Sequence, residues 1–411
     1  ILRARYRNSS EREELMTPNQ IYRFEVDLWA TAQTFLPGHR IRVQVTSSDF
    51  PRYDRNLNTG GPFGEEVRGQ VAVNTVFHDA MRPSHVLLPV MPLGGMNRSA
   101  RCKMSMIQGW VAPGFEEVEA EFRTNFVERG ELGAACAIYY RGEKVVDLWG
   151  GYRDHQTRAL WEEDTLVLVF STTKGMAALT MAVAHSRGLL DYDERVARYW
   201  PEFAQQGKEE ITVRQLLSHQ AGLSAIDEPL NLEVLADLDA LAEILARQKP
   251  AWAPGTKHGY HCWDLGWYQG ELIRRVDPEH RSLGQFFQDE IARPLGLEFY
   301  IGLPTRVPDA RIARIQPARV ARVLLNLGKL PYLKLCMNPL KRGSITSRTV
   351  MNPRILTNHN NYNRRDVRSV EIPSANGIGQ VRSMAKVYSV FATGGQALDL
   401  KEETFRAITA P

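Results

Sequence analysis

Apolar and polar residues alternate with a period of two over residues 22–28, where Tyr22, Phe24, Val26 and Leu28 interleave with Arg23, Glu25 and Asp27. Ile41, Val43 and Val45 alternate with Arg42, Gln44 and Thr46 in the same way. That period marks half-buried strands, and Pro37-Gly38 supplies a turn between them. Val86-Leu87-Leu88 and Val90 predict a last strand, so residues 1–92 read as an all-β unit. Over 93–112 no period survives. Gly94-Gly95, Asn97 and Ser99, then Pro113-Gly114, predict a junction there, with a second unit over 113–411.

From residue 115 the pattern changes. Val118, Phe122 and Phe126 share one face of an amphipathic helix over 115–129. Two strands, 134–140 and 144–149, flank Arg141-Gly142 and predict a hairpin. A short apolar run over 166–170 stops at Ser171, and 175–186 is helical and apolar on one side. Further helices are expected over 212–219, 232–248, 262–275 and 283–294, while 316–370 is irregular, rich in Arg, Asn and Pro. A hairpin followed by many helices predicts an α+β fold.

Composition narrows the functional classes. With 411 residues the chain holds two or three domains. Its net charge of +4 is small and its basic residues are scattered, which argues against a nucleic-acid partner and a polybasic membrane patch. No run of about 18 apolar residues predicts a membrane span. Ile1-Leu2-Arg3-Ala4-Arg5-Tyr6 lacks a secretory layout and an initiator Met, so a cytoplasmic protein with an incomplete N-terminus is expected. Cys102, Cys136, Cys262 and Cys336 show neither metal spacing nor a disulfide framework and predict free thiols. No metal and no organic cofactor is implied.

The chemistry centres on Ser171-Thr172-Thr173-Lys174, where a buried strand gives way to an apolar helix. Residues three apart on a helix share a face, so the Lys174 amine comes within reach of the Ser171 hydroxyl. A serine is a poor nucleophile until a base removes its proton, and a lysine can do so only as the free amine, the form that burial favours. The helix N-terminus adds positive potential, and the Ser171 amide is a candidate oxyanion donor. A second Ser-x-x-Lys, Ser383-Met384-Ala385-Lys386, opens a helix after a glycine-rich turn and reads as an N-cap. No Gly-x-Ser-x-Gly elbow is present.

Residues 107–411 resemble the serine β-lactamase-related and penicillin-binding-protein-like family, within it the carboxylesterase branch. The matching stretches are Gly114-Phe115-Glu116, Val146-Asp147-Leu148-Trp149-Gly150-Gly151, Phe170-Ser171-Thr172-Thr173-Lys174-Gly175, Leu216-Leu217-Ser218-His219-Gln220-Ala221-Gly222-Leu223, Pro254-Gly255-Thr256, His258-Gly259-Tyr260-His261 and Ser374-Ala375-Asn376-Gly377. The resemblance implies an antiparallel sheet flanked by helices plus an all-α subdomain, with Ser171 as nucleophile and Lys174 as its base. Tyr260 falls on the tyrosine of the family's Tyr-x-Asn motif and takes the role of proton shuttle to the leaving group. Cys262 stands where that motif has Asn, which argues against efficient β-lactam turnover. His261 and Cys262 flank the site and are expected to touch substrate, and His219 reads as a loop-fixing histidine. Lys341-Arg342-Gly343 mimics the family's third motif but comes too early in the chain and reads as structural. The third motif itself is expected beyond Pro411, with the last strands of the sheet, so the domain reads as incomplete and a weak catalyst on its own.

Residues 1–92 resemble the C-terminal jelly-roll-like β-sandwich of cocaine-esterase/X-Pro dipeptidyl-peptidase hydrolases, cut on its N-terminal side. Pro37-Gly38-His39-Arg40-Ile41-Arg42-Val43 and the run from Ser47 to Asn56 carry the likeness, with Thr75-Val76-Phe77-His78-Asp79 and Pro83-Ser84-His85. That module accompanies a separate catalytic domain, so His39, Asp54 and His85 are structural, as is Tyr6-Arg7-Asn8. The expectation is a carboxylesterase working through an acyl-enzyme on a small-molecule ester or amide. The alternatives are β-lactamase or D-amino-acid peptidase activity, and a non-catalytic scaffold.

Overall fold

The computed structural model describes residues 106–317 and 343–409, with a few positions among 14–24 and 75–84. The chain divides into two units, residues 1–97 and 98–411. The strands expected in the first unit lie almost entirely outside the described residues, as do Tyr6-Arg7-Asn8, His39, Asp54, His85 and Lys341-Arg342.

The second unit is α+β. Strand β1 (Ile107–Val111) leads through a turn into helix α1 (Glu116–Val127), followed by the hairpin β2 (Gly133–Tyr140) and β3 (Glu143–Asp154). Arg141 and Gly142 turn the hairpin with φ of 52° and 88°, the paired positive values of the tight turn that suits strand twist. β3 is central: β1 pairs with it from Ile107↔Gly150 to Val111↔Val146, and β2 from Gly133↔Gly151 to Tyr140↔Glu143, both antiparallel. β4 (Ala159–Leu160) pairs with the end of β3. α1 covers this sheet, as its periodicity predicts. Phe122 and Phe126, in edge contact at 5.3 Å, pack with Ile107, Val146 and Leu148, each such burial contributing roughly 1.5–3 kcal/mol. β1 falls in the stretch read as a junction without regular structure. Only Ile107 of its five residues is buried, so the pattern is too weak to register.

β5 (Val167–Leu168) precedes the apolar helix α2 (Thr173–Ser186), which runs through the main core with Met176, Ala177, Met181 and Val183 fully buried. Beyond a single helical turn at Val196–Tyr199 and a 3-10 turn at Pro201–Phe203 comes α3 (Val213–Leu217), opened by a reciprocal Thr212/Gln215 capping box. The single helix expected over 232–248 is two, α4 (Leu232–Ala236) and α5 (Leu238–Arg247). Asp237 divides them: its carboxylate accepts from the Asp239 and Ala240 amides at 3.1 and 3.0 Å, as an N-cap does. α6 (Leu265–Val276) packs on α2 and α5. Leu283–Phe287 continues through a π-helical turn, Gln288–Ala292, into Arg293–Leu295.

β6 (Phe299–Tyr300) and β7 (Ile378–Gly379) join β5 in a second small antiparallel sheet, with β7 in the middle. α7 (Val381–Ala392) and α8 (Glu402–Thr409) close the described chain. Ser383 is not the N-cap of α7; Gln380 occupies that position. The Ser383 hydroxyl instead accepts from the Glu298 amide at 2.9 Å, and Lys386 donates to the Leu295 carbonyl at 2.5 Å.

Candidate active site

The small sheet and α2 meet at Ser171. After β5 the chain turns through Phe170, whose φ of 45° is rare for an aromatic residue, and enters a 3-10 turn, Phe170–Thr172, that runs straight into α2. The Phe170 ring is held in edge contact with His359 and Tyr362, at 5.5 and 5.3 Å. Fully buried Thr173 braces the corner: its hydroxyl donates to the Phe170 carbonyl at 2.5 Å and accepts from the Gly377 amide at 2.9 Å. The Gly377 carbonyl in turn accepts from the Val169 amide at 3.0 Å. A Cβ at Gly377 would come within 2.5 Å of the Phe299 ring and 2.7 Å of the Thr173 hydroxyl, so glycine alone allows this approach.

Ser171 is exposed, with its oxygen between two side chains. Lys174 Nζ lies 3.4 Å away and Tyr260 Oη 3.2 Å, the tyrosine hydroxyl donating. Lys174 comes from one turn along α2, Tyr260 from the loop before α6, and the Lys174 ammonium position is 5.0 Å from the centre of the Tyr260 ring. Lys174 Nζ also donates to two main-chain carbonyls, Cys262 at 2.7 Å and Ser374 at 2.9 Å. A free amine has two N–H groups and one lone pair. Two carbonyls take the two N–H groups, and the lone pair is left for the Ser171 hydroxyl. The same pocket offers an ammonium three acceptors, so both protonation states fit without rearrangement.

The carbonyls are themselves fixed. The Ser374 hydroxyl accepts from the Gly266 amide at 2.7 Å. Buried Asn376 accepts from the Ile372 amide at 3.0 Å and donates to the Val370 carbonyl at 2.6 Å. Cys262, the residue at the family's Asn position, is half-buried, and burial pushes its thiol pKa up. Its carbonyl accepts from Lys174, and the Lys174 charge works against that rise.

His261 was expected beside the substrate, but it is fully buried and faces His219, with Nδ1 atoms 2.9 Å apart. In a chain that alternates sides around Tyr260, the exposed tyrosine leaves its neighbour pointing inward. Burial, reinforced by nearby positive charge, lowers the His219 pKa to about 4 and that of His261 to about 3. Asp264 is a buried residue that sequence reasoning missed. Neither carboxylate oxygen has a hydrogen-bond partner, and burial raises its pKa to about 7 against the pull of Lys174 and of the amides at the start of α6. A carboxylate at a predicted helix start was the available signal, but it reads equally as an ordinary cap. Among the described residues no three His, Cys, Asp or Glu gather as metal ligands, and no helix is long and apolar enough to cross a membrane.

An α+β unit that sets a serine at the head of an apolar helix, a lysine one turn on and a tyrosine opposite defines a Ser–Lys–Tyr site. Residues 115–409 match the family model described as Beta-lactamase, and the chain belongs to that family. Residues 1–87 match the X-Pro dipeptidyl-peptidase C-terminal non-catalytic domain. Over 292 residues the chain is 34% identical to Esterase/beta-lactamase LipL of Mycobacterium tuberculosis, covering 70% of this chain and 65% of LipL. Over 93 residues it is 45% identical to Cocaine esterase of a Rhodococcus species, covering 22% of this chain and 16% of that one. It therefore spans less than two thirds of either curated relative. A crystal structure of a family VIII carboxylesterase is 40% identical, with a TM-score of 0.58 and coverage of 70% of this chain and 72% of that chain.

Proposed function

We propose that the second unit hydrolyses carboxylic esters of small molecules through an acyl-enzyme on Ser171. The observation that carries this reading is the convergence of Lys174 Nζ and Tyr260 Oη on the Ser171 oxygen, at 3.4 and 3.2 Å. Lys174 takes the Ser171 proton as the oxygen attacks the ester carbonyl. The Ser171 amide, at the start of the helical run, faces the developing oxyanion. Tyr260 passes a proton to the departing alkoxide and recovers one as water attacks the acyl-enzyme, Lys174 relaying charge between the steps. An ester is favoured over a β-lactam because Cys262 presents no side-chain amide at the family's Asn position. LipL is named as both an esterase and a β-lactamase, which motivates testing both classes.

The test is to incubate the protein with p-nitrophenyl butyrate, with a chromogenic cephalosporin and with a fluorophosphonate, then locate the fluorophosphonate adduct by mass spectrometry. The expected result is faster turnover of the ester and an adduct on the peptide containing Ser171. An adduct elsewhere, or β-lactam turnover exceeding ester turnover, overturns the assignment.

A further inference from the structure

His219 follows α3 in a left-handed conformation, with φ of 65°. The loop that carries Tyr260 is laid along the four residues that begin there. The carbonyls of His219, Gln220 and Gly222 accept from the amides of Gly259, Gly255 and Ala251 at 3.0, 3.0 and 2.8 Å. The His219 side chain adds a second tie, since its Nδ1 meets both the backbone N–H of His261 at 3.1 Å and His261 Nδ1 at 2.9 Å.

These contacts fix both tautomers. A backbone N–H can only donate, so His219 Nδ1 is an acceptor and its proton sits on Nε2. The Nδ1–Nδ1 contact then needs its proton from His261. A neutral His261 protonated at Nδ1 has a bare Nε2, and that atom is buried with no hydrogen-bond partner. Burial and nearby positive charge keep both rings neutral near pH 7. Protonating His219 Nδ1 would break both contacts at once.

Tyr260 itself is half exposed, and its hydroxyl bonds Ser171. Its two chain neighbours, Gly259 and His261, are both bonded to His219, and the His219 ring lies 5.2 Å from the Tyr260 ring.

We propose that His219 is a positioning residue for the reaction, acting through His261 and Gly259 to hold the Tyr260 hydroxyl where the leaving group departs. This rests on the reading of Tyr260 as the group that protonates the leaving alkoxide. It implies a specific defect. A displaced Tyr260 hurts substrates whose leaving group needs a proton and spares those whose leaving group departs as a stable anion. A displacement near 1 Å can cost about 10²-fold.

The experiment compares ethyl butyrate with p-nitrophenyl butyrate, which share an acyl group, and follows fluorophosphonate labelling of Ser171 as a measure of the Ser171–Lys174 pair. For His219→Ala the expected result is a loss of about 10²-fold in kcat/KM on ethyl butyrate, with kcat/KM on p-nitrophenyl butyrate and labelling within a few-fold of the parent. His219→Asn should restore most of the loss, because its Oδ1 can replace Nδ1 as acceptor and Asn tolerates the left-handed backbone. Equal losses on both esters and in labelling, or no loss at all, overturn the proposal. If His219→Ala does not fold, His261→Phe decides: it keeps a ring but removes the donor, and the same selective loss is required. Tyr260→Phe separates the two levels. If it shows no leaving-group dependence, the reading of Tyr260 fails. If it does and the His219 variants do not, only the positioning role fails.

Discussion

Lys174 and Cys262 are joined by a hydrogen bond from Nζ to the main-chain carbonyl at 2.7 Å. The contact couples the base to the segment that carries Tyr260, so the two groups flanking Ser171 keep their spacing. A main-chain acceptor also makes the tie independent of the Cys262 side chain.

Replacing Ser171 with Ala should lower hydrolysis of p-nitrophenyl butyrate by at least roughly 10³-fold, the scale of removing a nucleophile. Lys174→Arg should cost a comparable amount, because a guanidinium has no free lone pair for the serine proton. Ser383→Ala should leave kcat/KM nearly unchanged, since that hydroxyl serves the Glu298 amide. Steady-state rates of the three variants check the set.

Thr173→Val should remove both bonds that brace the corner at Phe170 while keeping volume. Leaving the buried Gly377 amide and Phe170 carbonyl short of a partner costs about 1–3 kcal/mol, read as a lower urea midpoint. Thr173→Ser should recover most of it, and ester hydrolysis should fall in parallel with the Val change.

The pH dependence of stability should carry a signature of Asp264. Its pKa is about 7 in the fold against 3.8 for the unperturbed group. Between these values the folded protein retains a proton that the unfolded chain releases. More protons bound in the folded state means that stability falls as pH rises through the window. A shift of this size corresponds to at most about 4 kcal/mol. Asp264→Asn should flatten the stability curve between pH 4 and 7, with its largest relative gain above pH 7. Denaturant midpoints measured over that range check this, and parallel curves for parent and variant would count against it.

Two glycines beside the site should respond differently to Ala. Gly377→Ala drives a methyl into the buried Phe299 ring and the Thr173 hydroxyl, and overpacking of this kind costs about 1–3 kcal/mol. A Cβ at Gly175 meets the hydroxyl end of Tyr388, at 1.8 Å. Tyr388 is exposed and can swing aside, so Gly175→Ala should cost less than about 1 kcal/mol. Thermal unfolding of the two variants provides the comparison.

Much of this arrangement was legible in the sequence because periodicity carries it. The hairpin at Arg141-Gly142, the apolar stripe of α1 and the one-turn spacing of Ser171 and Lys174 all follow from strand and helix repeats. Tyr260 was found by resemblance, since nothing local distinguishes it from a packed aromatic. The carbonyls of Cys262 and Ser374 were invisible because a main-chain acceptor leaves no mark on residue type. The inward turn of His261 and the burial of Asp264 depend on what α2 and α3 bring against them. β1 and the break at Asp237 escaped for a different reason: both are short, and no period survives around β1 while the helical one runs on past Asp237.

The corner at Phe170 depends on groups far along the chain. Its ring is set against His359 and Tyr362, its brace reaches Gly377, and Lys174 bonds a carbonyl 200 residues later. Synthesis runs from N- to C-terminus at roughly 5–20 residues per second. The segment bearing Ser171 therefore leaves the ribosome well before the residues that shape its backbone. A nascent chain can hold the hairpin and α1 but not a working nucleophile. The corner at Ser171 gains its full set of contacts only once the stretch from 359 to 377 has been made.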